Sequence, residues 1–533
     1  YDRFGDWYAH LAPLGVSRVP FGNYGDNIKR MRPRQREVFR YLAWLTGTGR
    51  FAHYENVLTR EQGDPPSERP WLDLLGAVKL RTPEPQIPEE RILLFPEAGW
   101  VMANPQPLFD RQAFQQSTGM VFQCRPRGGY SHSFRAENDY VWYAHGATLS
   151  AGGGSTIFRD PHAYGTISHN GILINGEGQE WNYHIPENAF SGRLLAFHEG
   201  DDYTYWVGDA THSYQTVHGL LRCHRHVVFV DESWFAVFDD IAMRPGAEPA
   251  RFSWLFQIKP TVPVTTNAEK TCFRYTVDGV DASVHLAYPD GPVELRDVTG
   301  RETYVNQITG EDLYEEATAG IEKKGTRFMS EKHWMGHSLW LTNQQPQDTW
   351  NVMAVLTAAS SGSPPPDVVM LGKRAVQVTL PGRAPRTISF DPAVDADITI
   401  DLEALRAHAL NTDPGMLPPT GPREEVTLDG DEYTVEWLAK ERFDRDDWVS
   451  RWVFEGSSEV SVSDGRLWVR PTVPGQHNTA SIWFRPELPQ NVMIRFRAQP
   501  VGNPETNAAN INLFLHGRER DGSPLRLGRS GDY

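Results

Sequence analysis

Two histidines stand ahead of strand-like runs within residues 128–179, each among groups suited to acid–base work. His132 lies in the loop GGYSHSFRAEN, just before DYVWYA, and His169-Asn170 comes one hairpin later, before GILING. The first loop also carries Arg125, Arg127 and Arg135, with no acid until Glu137. In a chain of net charge −16 this is a local cationic patch, and such a patch suits a carboxylate or a sulfate. Tyr130 and the turn Asp160-Pro161-His162-Ala163-Tyr164 add further titratable groups.

Histidine, tyrosine, arginine and asparagine meet the needs of β-elimination next to a carboxylate. That carboxylate must be neutralised, so that enolate-like charge is tolerated. A base must take the neighbouring C–H proton, and an acid must protonate the leaving oxygen. The plainer reading is a β-sandwich whose histidines are satisfied loop residues and whose arginines pair with nearby acids. A glycoside hydrolase would instead need two acids across a pocket. Glu97, Glu137 and Asp160 are present, but no spacing selects a pair.

The elements that must position these groups change character along the chain. Residues 1–80 read as helical. One segment covers 2–11, and a second, over 35–45, puts Val38, Leu42 and Leu45 on one face before Gly47 and Gly49 stop it. Trp71, Leu74, Leu75 and Val78 form a third apolar stripe. The proline-rich stretch TPEPQIP at 82–88 reads as a linker. From there to about residue 400, short β-branched and aromatic runs with turn signals between them predict antiparallel sheets. SSGSPPPD at 360–367 reads as an external loop. A short helix and a proline-rich connector follow at 403–430, and a second β-rich unit begins near 431.

Composition narrows the classes. A chain of 533 residues is too long for one ordinary core. Its 39% hydrophobic content marks it as globular, and no apolar run is long enough to span a membrane. The negative net charge argues against a nucleic-acid partner. Three widely spaced cysteines give neither a disulfide framework nor a metal pattern.

Taken in order, these segments resemble the heparinase II/III-like polysaccharide lyases. There a loop histidine precedes a strand of the form N-S-F-x-L-Y-A-x-G; here His132 is followed by NDYVWYAHG at 138–146. A later A-H-N-x-x-x-V-D-G-x-G-Q is similar to SHNGILINGEGQ at 168–179. Gly208-Asp209-Ala210…Tyr214, then RHVVF at 225–229 and WFAVFDD at 234–240, continue the series. The resemblance covers roughly residues 1–400. Each motif is short, and their order and spacing are the more specific signal.

The resemblance implies cleavage of a uronic-acid-containing, acidic polysaccharide by β-elimination, at a site between an α/α toroid and a β-sheet domain. Alginate, ulvan, glycosaminoglycan and rhamnogalacturonan types stay open as substrates. By resemblance His132 is the catalytic position that transfers, lying at the substrate carboxylate or the proton-transfer centre. Tyr164 falls where some relatives use a second tyrosine. Tyr130, Arg125, Arg127, Arg135, Asn138, His162 and His169 complete the expected substrate-binding set. The family's toroid supplies an Asn-His pair and a tyrosine, which the resemblance puts upstream of Tyr1. The chain therefore reads as a fragment, of a secreted or periplasmic enzyme.

One departure concerns metal. Several relatives hold a structural zinc with the second histidine of an HxH motif, an aspartate after the next strand and the histidine of the A-H-N segment. Here those places read Phe134, the run LSAGGG at 149–154, and His169. A lone imidazole does not make a zinc site, which needs three or four ligands. The expectation is no metal at this place and no required cofactor; a structural divalent metal is not supported by the sequence.

Residues 431–533 resemble a concanavalin-type jelly roll of the kind appended to polysaccharide-degrading enzymes, with Trp448, Trp452, Trp468 and Trp483 as candidate platforms for sugar rings. The expected architecture is multidomain α+β. It comprises the end of a partial α/α toroid at 1–82, a large antiparallel β-sandwich at 83–402, a linker at 403–430 and an incomplete β jelly roll at 431–533. A non-catalytic glycan-binding protein of β-sandwich modules, or a glycoside hydrolase, are the alternatives in function.

Overall fold

The computed structural model describes residues 2–11, 33–62, 82–88, 92–104, 111–125, 134–152, 165–179, 192–214, 217, 219–258, 262–315 and 337–411, with six short strands between 423 and 484. They belong to two compact units, Tyr1–His184 with Phe190–Leu402, and Ile185–Ala189 with Glu403–Tyr533. No described helix is long and apolar enough to cross a membrane.

The first unit opens with helices α1 (Asp2–Leu11), α2 (Pro33–Thr46) and α3 (Gly49–Gln62). Phe39, Leu42 and Ala43 of α2 meet Phe51, Tyr54 and Leu58 of α3 in a small core of their own. The sequence reading ended its second helix at Gly47 and Gly49 and did not foresee α3. Gly47 does end α2: it has φ +69°, and its N–H bonds the Ala43 carbonyl at 2.9 Å. Gly49 then starts a new helix, whose signal was the spacing of Phe51, Tyr54 and Leu58. The apolar stripe at 71–78 lies outside the described residues. Helix α1 rests on the first sheet, where Trp7 meets Trp100 edge-on at 6.1 Å and the Arg3 guanidinium lies over Phe95.

That first sheet is an antiparallel meander of β1 (Ile92–Phe95), β2 (Trp100–Ala103), β3 (Thr118–Gln123), β4 (Asp139–Ala144) and β5 (Ala147–Ser150). The largest sheet has eight strands, in the order β12-β13-β14-β17-β10-β9-β8-β7. In chain order they are β7 (Arg193–Glu199), β8 (Tyr203–Asp209), β9 (Leu220–Val230), β10 (Trp234–Met243), β12 (Thr265–Thr266), β13 (Cys272–Val277), β14 (Val280–Ala287) and β17 (Thr349–Ser360). A four-stranded sheet joins β6 (Ile172–Ile174), β11 (Phe252–Ile258), β15 (Val293–Thr299) and β16 (His337–Asn343). A smaller one holds β18 (Asp367–Met370), β19 (Ala375–Thr379), β20 (Arg386–Ser389) and β21 (Ile398–Thr399). All the described pairings are antiparallel except β20 with β21.

Burial of both faces explains why the central strands lack clean alternation. One face of the large sheet sends Val227, Phe229, Phe235 and Val237 into a core shared with Phe122, Trp142, Trp254 and Phe256. On the other face Phe238 stacks on Phe390 at 4.6 Å. Strand β10, WFAVFDDIAM, is therefore buried along its whole length. Towards one edge of the sheet, β13 alternates buried and more exposed positions.

In the second unit the helix Leu402–Asn411 extends across the start of the expected linker. Three antiparallel pairs follow: β22 (Arg423–Leu428) with β23 (Asp431–Glu436), β24 (Trp452–Glu455) with β27 (Ser481–Phe484), and β25 (Ser458–Ser463) with β26 (Arg466–Pro471). Trp468 on β26 is exposed. Trp448 and the runs VMIRFRAQP and NINLFLHG lie outside the described residues.

The main core makes a direct prediction. Phe235 is fully buried and stacks on Phe229 at 4.3 Å. Phe235→Ala should cost about 3–5 kcal/mol, read as a lowered denaturation midpoint of the first unit. An unchanged midpoint would contradict the packing described.

Candidate active site

Strand β4 begins at Asp139, and most of the site's geometry follows from that residue. Asp139 is completely buried, and its Oδ2 lies 2.7 Å from Nδ1 of His169. Its Oδ1 accepts the backbone N–H groups of Tyr140, at 2.7 Å, and Asn170, at 3.0 Å. The carboxylate thus ties the start of one strand to the turn that precedes β6.

A second device supports the first. Arg225, on β9, is buried and grips Asp239 of β10 with two bonds, Nε to Oδ1 at 2.8 Å and Nη2 to Oδ2 at 2.9 Å. Its Nη1 donates to the carbonyl of Asn138, at 2.6 Å, and to that of Asn170. Burial works against this charge, but Asp239 outweighs it and raises the guanidinium's pKa. Asn138 itself has φ +65°, a left-handed conformation that asparagine tolerates better than most residues.

Residues 126–133 lie between two fixed positions. Arg125 pairs with Glu137, Nη2 to Oε1 at 2.8 Å, and the same nitrogen donates to the Phe134 carbonyl at 2.8 Å. The Arg125 backbone N–H also bonds the Glu137 carboxylate. Gln179 then fixes Glu137. Its Oε1 accepts the Glu137 N–H at 2.7 Å, and its Nε2 donates to the Glu137 carbonyl at 2.8 Å. Burial raises the Glu137 pKa above its ordinary value, and Arg125 offsets part of that rise.

Three of the expected substrate contacts therefore have other partners. Arg125 is bound to Glu137, Asn138 donates to the Cys223 carbonyl at 3.2 Å, and His169 is buried against Asp139. Burial and internal hydrogen bonding give these three a holding role within the fold. Arg135 is half-buried, and its carbonyl accepts the Thr166 hydroxyl at 2.9 Å. His132, Tyr164, Tyr130, Arg127 and His162 lie outside the described residues.

The sequence positions compared with a zinc site do come together. The Phe134 ring lies 5.2 Å from the His169 ring. A Cβ on Gly152 would fall 2.5 Å from the His169 Cα, so backbone closely approaches backbone there. Phenylalanine and glycine offer no ligand, and Nδ1 of His169 faces Asp139. This donor set does not fit zinc.

The sequence reading missed Asp139, Gln179 and the Arg225–Asp239 pair as organisers. Their signal was present, since Gln179 and Arg225 sit inside the quoted motifs. Other motif positions are turn chemistry. His145-Gly146 and Asn175-Gly176 both have positive φ at both residues, the geometry of a two-residue hairpin turn.

Residues 88–338 match the family described as Heparinase II/III-like, C-terminal. This segment is a heparinase II/III-like domain. The fold agrees. A heparinase III structure aligns with 72% of the chain and 51% of its own length, at TM-score 0.51 and 12% identity. A heparan sulfate lyase HepC mutant from Pedobacter heparinus aligns with 72% and 52%, at TM-score 0.51 and 12% identity. The chain thus spans about half the length of the solved structures it resembles. No curated protein matches the chain.

Two predictions come from the heparinase-like site. His169→Ala strips the buried Asp139 carboxylate of a donor and should cost roughly 2 kcal/mol, measured by thermal or chemical denaturation. The second concerns pH. A carboxyl whose folded pKa lies above its unfolded value keeps its proton longer when folded. Its contribution is full below the unfolded value and is lost as pH rises through the folded one. Stability measured from pH 4 upward should therefore fall more steeply in the wild type than in Glu137→Gln; parallel curves would refute the shift.

Proposed function

We propose that the chain forms the β-sheet part of a polysaccharide lyase that cleaves a uronic-acid-containing polysaccharide by β-elimination. The heparinase-like domain at 88–338 carries this reading. The fixed flanks of the segment 126–133 support it. That segment holds Arg127, Tyr130 and His132, and its ends at Arg125 and Phe134 are bonded to each other. A rigid base of this kind is what a positioned proton-transfer group requires.

In the proposed reaction a cationic or hydrogen-bonding group neutralises the substrate carboxylate. Arg127 and His132 are suited to that task. A base removes the C5 proton, the C4–O bond breaks, and a C4–C5 double bond forms. The leaving glycosidic oxygen takes a proton from an acid, a task for which Tyr164 is the candidate in this chain. Glycosaminoglycans are the foremost substrate class, because a solved neighbour is named a heparan sulfate lyase. A secreted or periplasmic location suits such a polymer. The hydrolase alternative loses ground, since Glu137 is committed to Arg125.

The test uses the full-length protein on a panel of uronate polymers. Product should absorb near ~230 nm, the mark of a double bond conjugated to a carboxylate. His132→Ala should lower kcat/KM by at least about 100-fold. Unchanged turnover in that variant would remove His132 from the mechanism. Glycan binding without any absorbing product would point to a binding module instead.

A further inference from the structure

We propose that His224, His226 and Asp240 form a binding site for a divalent cation of the zinc class. The site lies away from the Phe134–His169 pair and is independent of the proposed lyase activity. Side chains alternate along a strand, so His224 and His226 share one face of β9 while Arg225 points to the other. Asp240 stands directly across from His224 in the β9–β10 register. One ligand atom from each of the three lies within 4.8 Å of the others. Ligands about 2.0–2.2 Å from a tetrahedral zinc sit about 3.3–3.6 Å apart, so the three would draw together by up to about 1.5 Å on binding.

The surroundings match those of metal-bound imidazoles, whose second nitrogen usually meets an oxygen that orients the ring. The Tyr205 hydroxyl lies 2.8 Å from Nδ1 of His226, and Asp209 Oδ1 lies 3.6 Å from Nε2 of His224. Nδ1 of His224 is buried and has no hydrogen-bond partner. Leaving such an atom without a partner is costly, and a cation would supply one.

Asp240 is oriented by Arg222, Nε to Oδ2 at 2.8 Å, and by Asn351, Nδ2 to Oδ1 at 3.0 Å. The guanidinium holds one oxygen, so the carboxylate would bind the ion through the other. Phe238 and Phe390 both meet the His226 ring edge-on at 5.9 Å and keep that side dry. Asn351 also lines a cleft of about 530 Å³ with Asp290, Asp348 and Lys373. Two imidazoles and one carboxylate favour zinc over magnesium or calcium, with the fourth position left for water. The ion would clamp β9 to β10.

The test strips the full chain with a chelator, then titrates it with zinc chloride and measures bound metal. One zinc per chain is expected, with a thermal midpoint that rises with zinc concentration. Cobalt(II) should give the visible bands of a tetrahedral site, and zinc should abolish them. His224→Asn and His226→Asn should each abolish stoichiometric binding, while Tyr205→Phe weakens it about tenfold. His169→Ala should leave the stoichiometry unchanged. A wild-type chain that binds neither metal stoichiometrically overturns the proposal, whether or not the variants fold. So does full zinc binding by a folded His224→Asn or His226→Asn.

Discussion

The buried guanidinium of Arg225 is the constraint on which the rest of the first unit depends. Taking such a charge out of water costs several kcal/mol unless it is fully paired. Here both Asp239 oxygens and two backbone carbonyls meet it. Those carbonyls belong to Asn138 and Asn170, neighbours of Asp139 and His169. The large sheet therefore sets where β4 begins and where the turn before β6 lies. Apolar residues of similar volume could stabilise the sheet as well. They would not gather the two carbonyls, so the gain from Arg225 is one of geometry.

Much of the architecture was legible because it rests on local rules. The runs DYVWYA, RHVVFV, WFAVFDDIA and FSWLFQI all became strands, and the described residues from 92 to 400 are mostly β-sheet. Helix α1 took its expected span, and of the external loop expected at 360–367, residues 361–365 are exposed between β17 and β18. The layering was less legible. A strand such as β10, covered on both faces, has no alternation from which to read its inside. Helix α3 was lost because a pair of glycines reads as a stop, although only Gly47 adopts the left-handed conformation that ends a helix.

Among the described residues, Arg125, Asn138, Arg135 and His169 were named from the sequence without their partners. Arg125 reads as a free cation because no acid precedes Glu137 in the loop. The β3–β4 hairpin brings Glu137 back beside it, a closure that depends on the register of Gln123 against Asp139. The same holds for His169, whose partner Asp139 is thirty residues away. Phe134, Gly152 and His169, from the segments that the resemblance compared with zinc ligands, share one neighbourhood. The resemblance could not show that the acid left in that neighbourhood, Asp139, is spent on holding backbone.

The pairing of charges also constrains how an acidic chain could bind an acidic polymer. Arg193, Arg222 and Arg225 are each held by an aspartate, and Arg125 by a glutamate. These arginines carry sheet geometry and contribute little net field. If the chain binds a polyanion as proposed, the attraction comes from groups outside these four pairs. Strand β9 shows how tightly this division is drawn. Its sequence RCHRHVVFV sets Arg225 on the face towards Asp239, and His224 and His226 on the opposite face. A register slip of one residue would exchange those faces and bury three polar side chains without their partners. The strand's polar residues thus fix its register at the end where β9 faces Asp239 and Asp240.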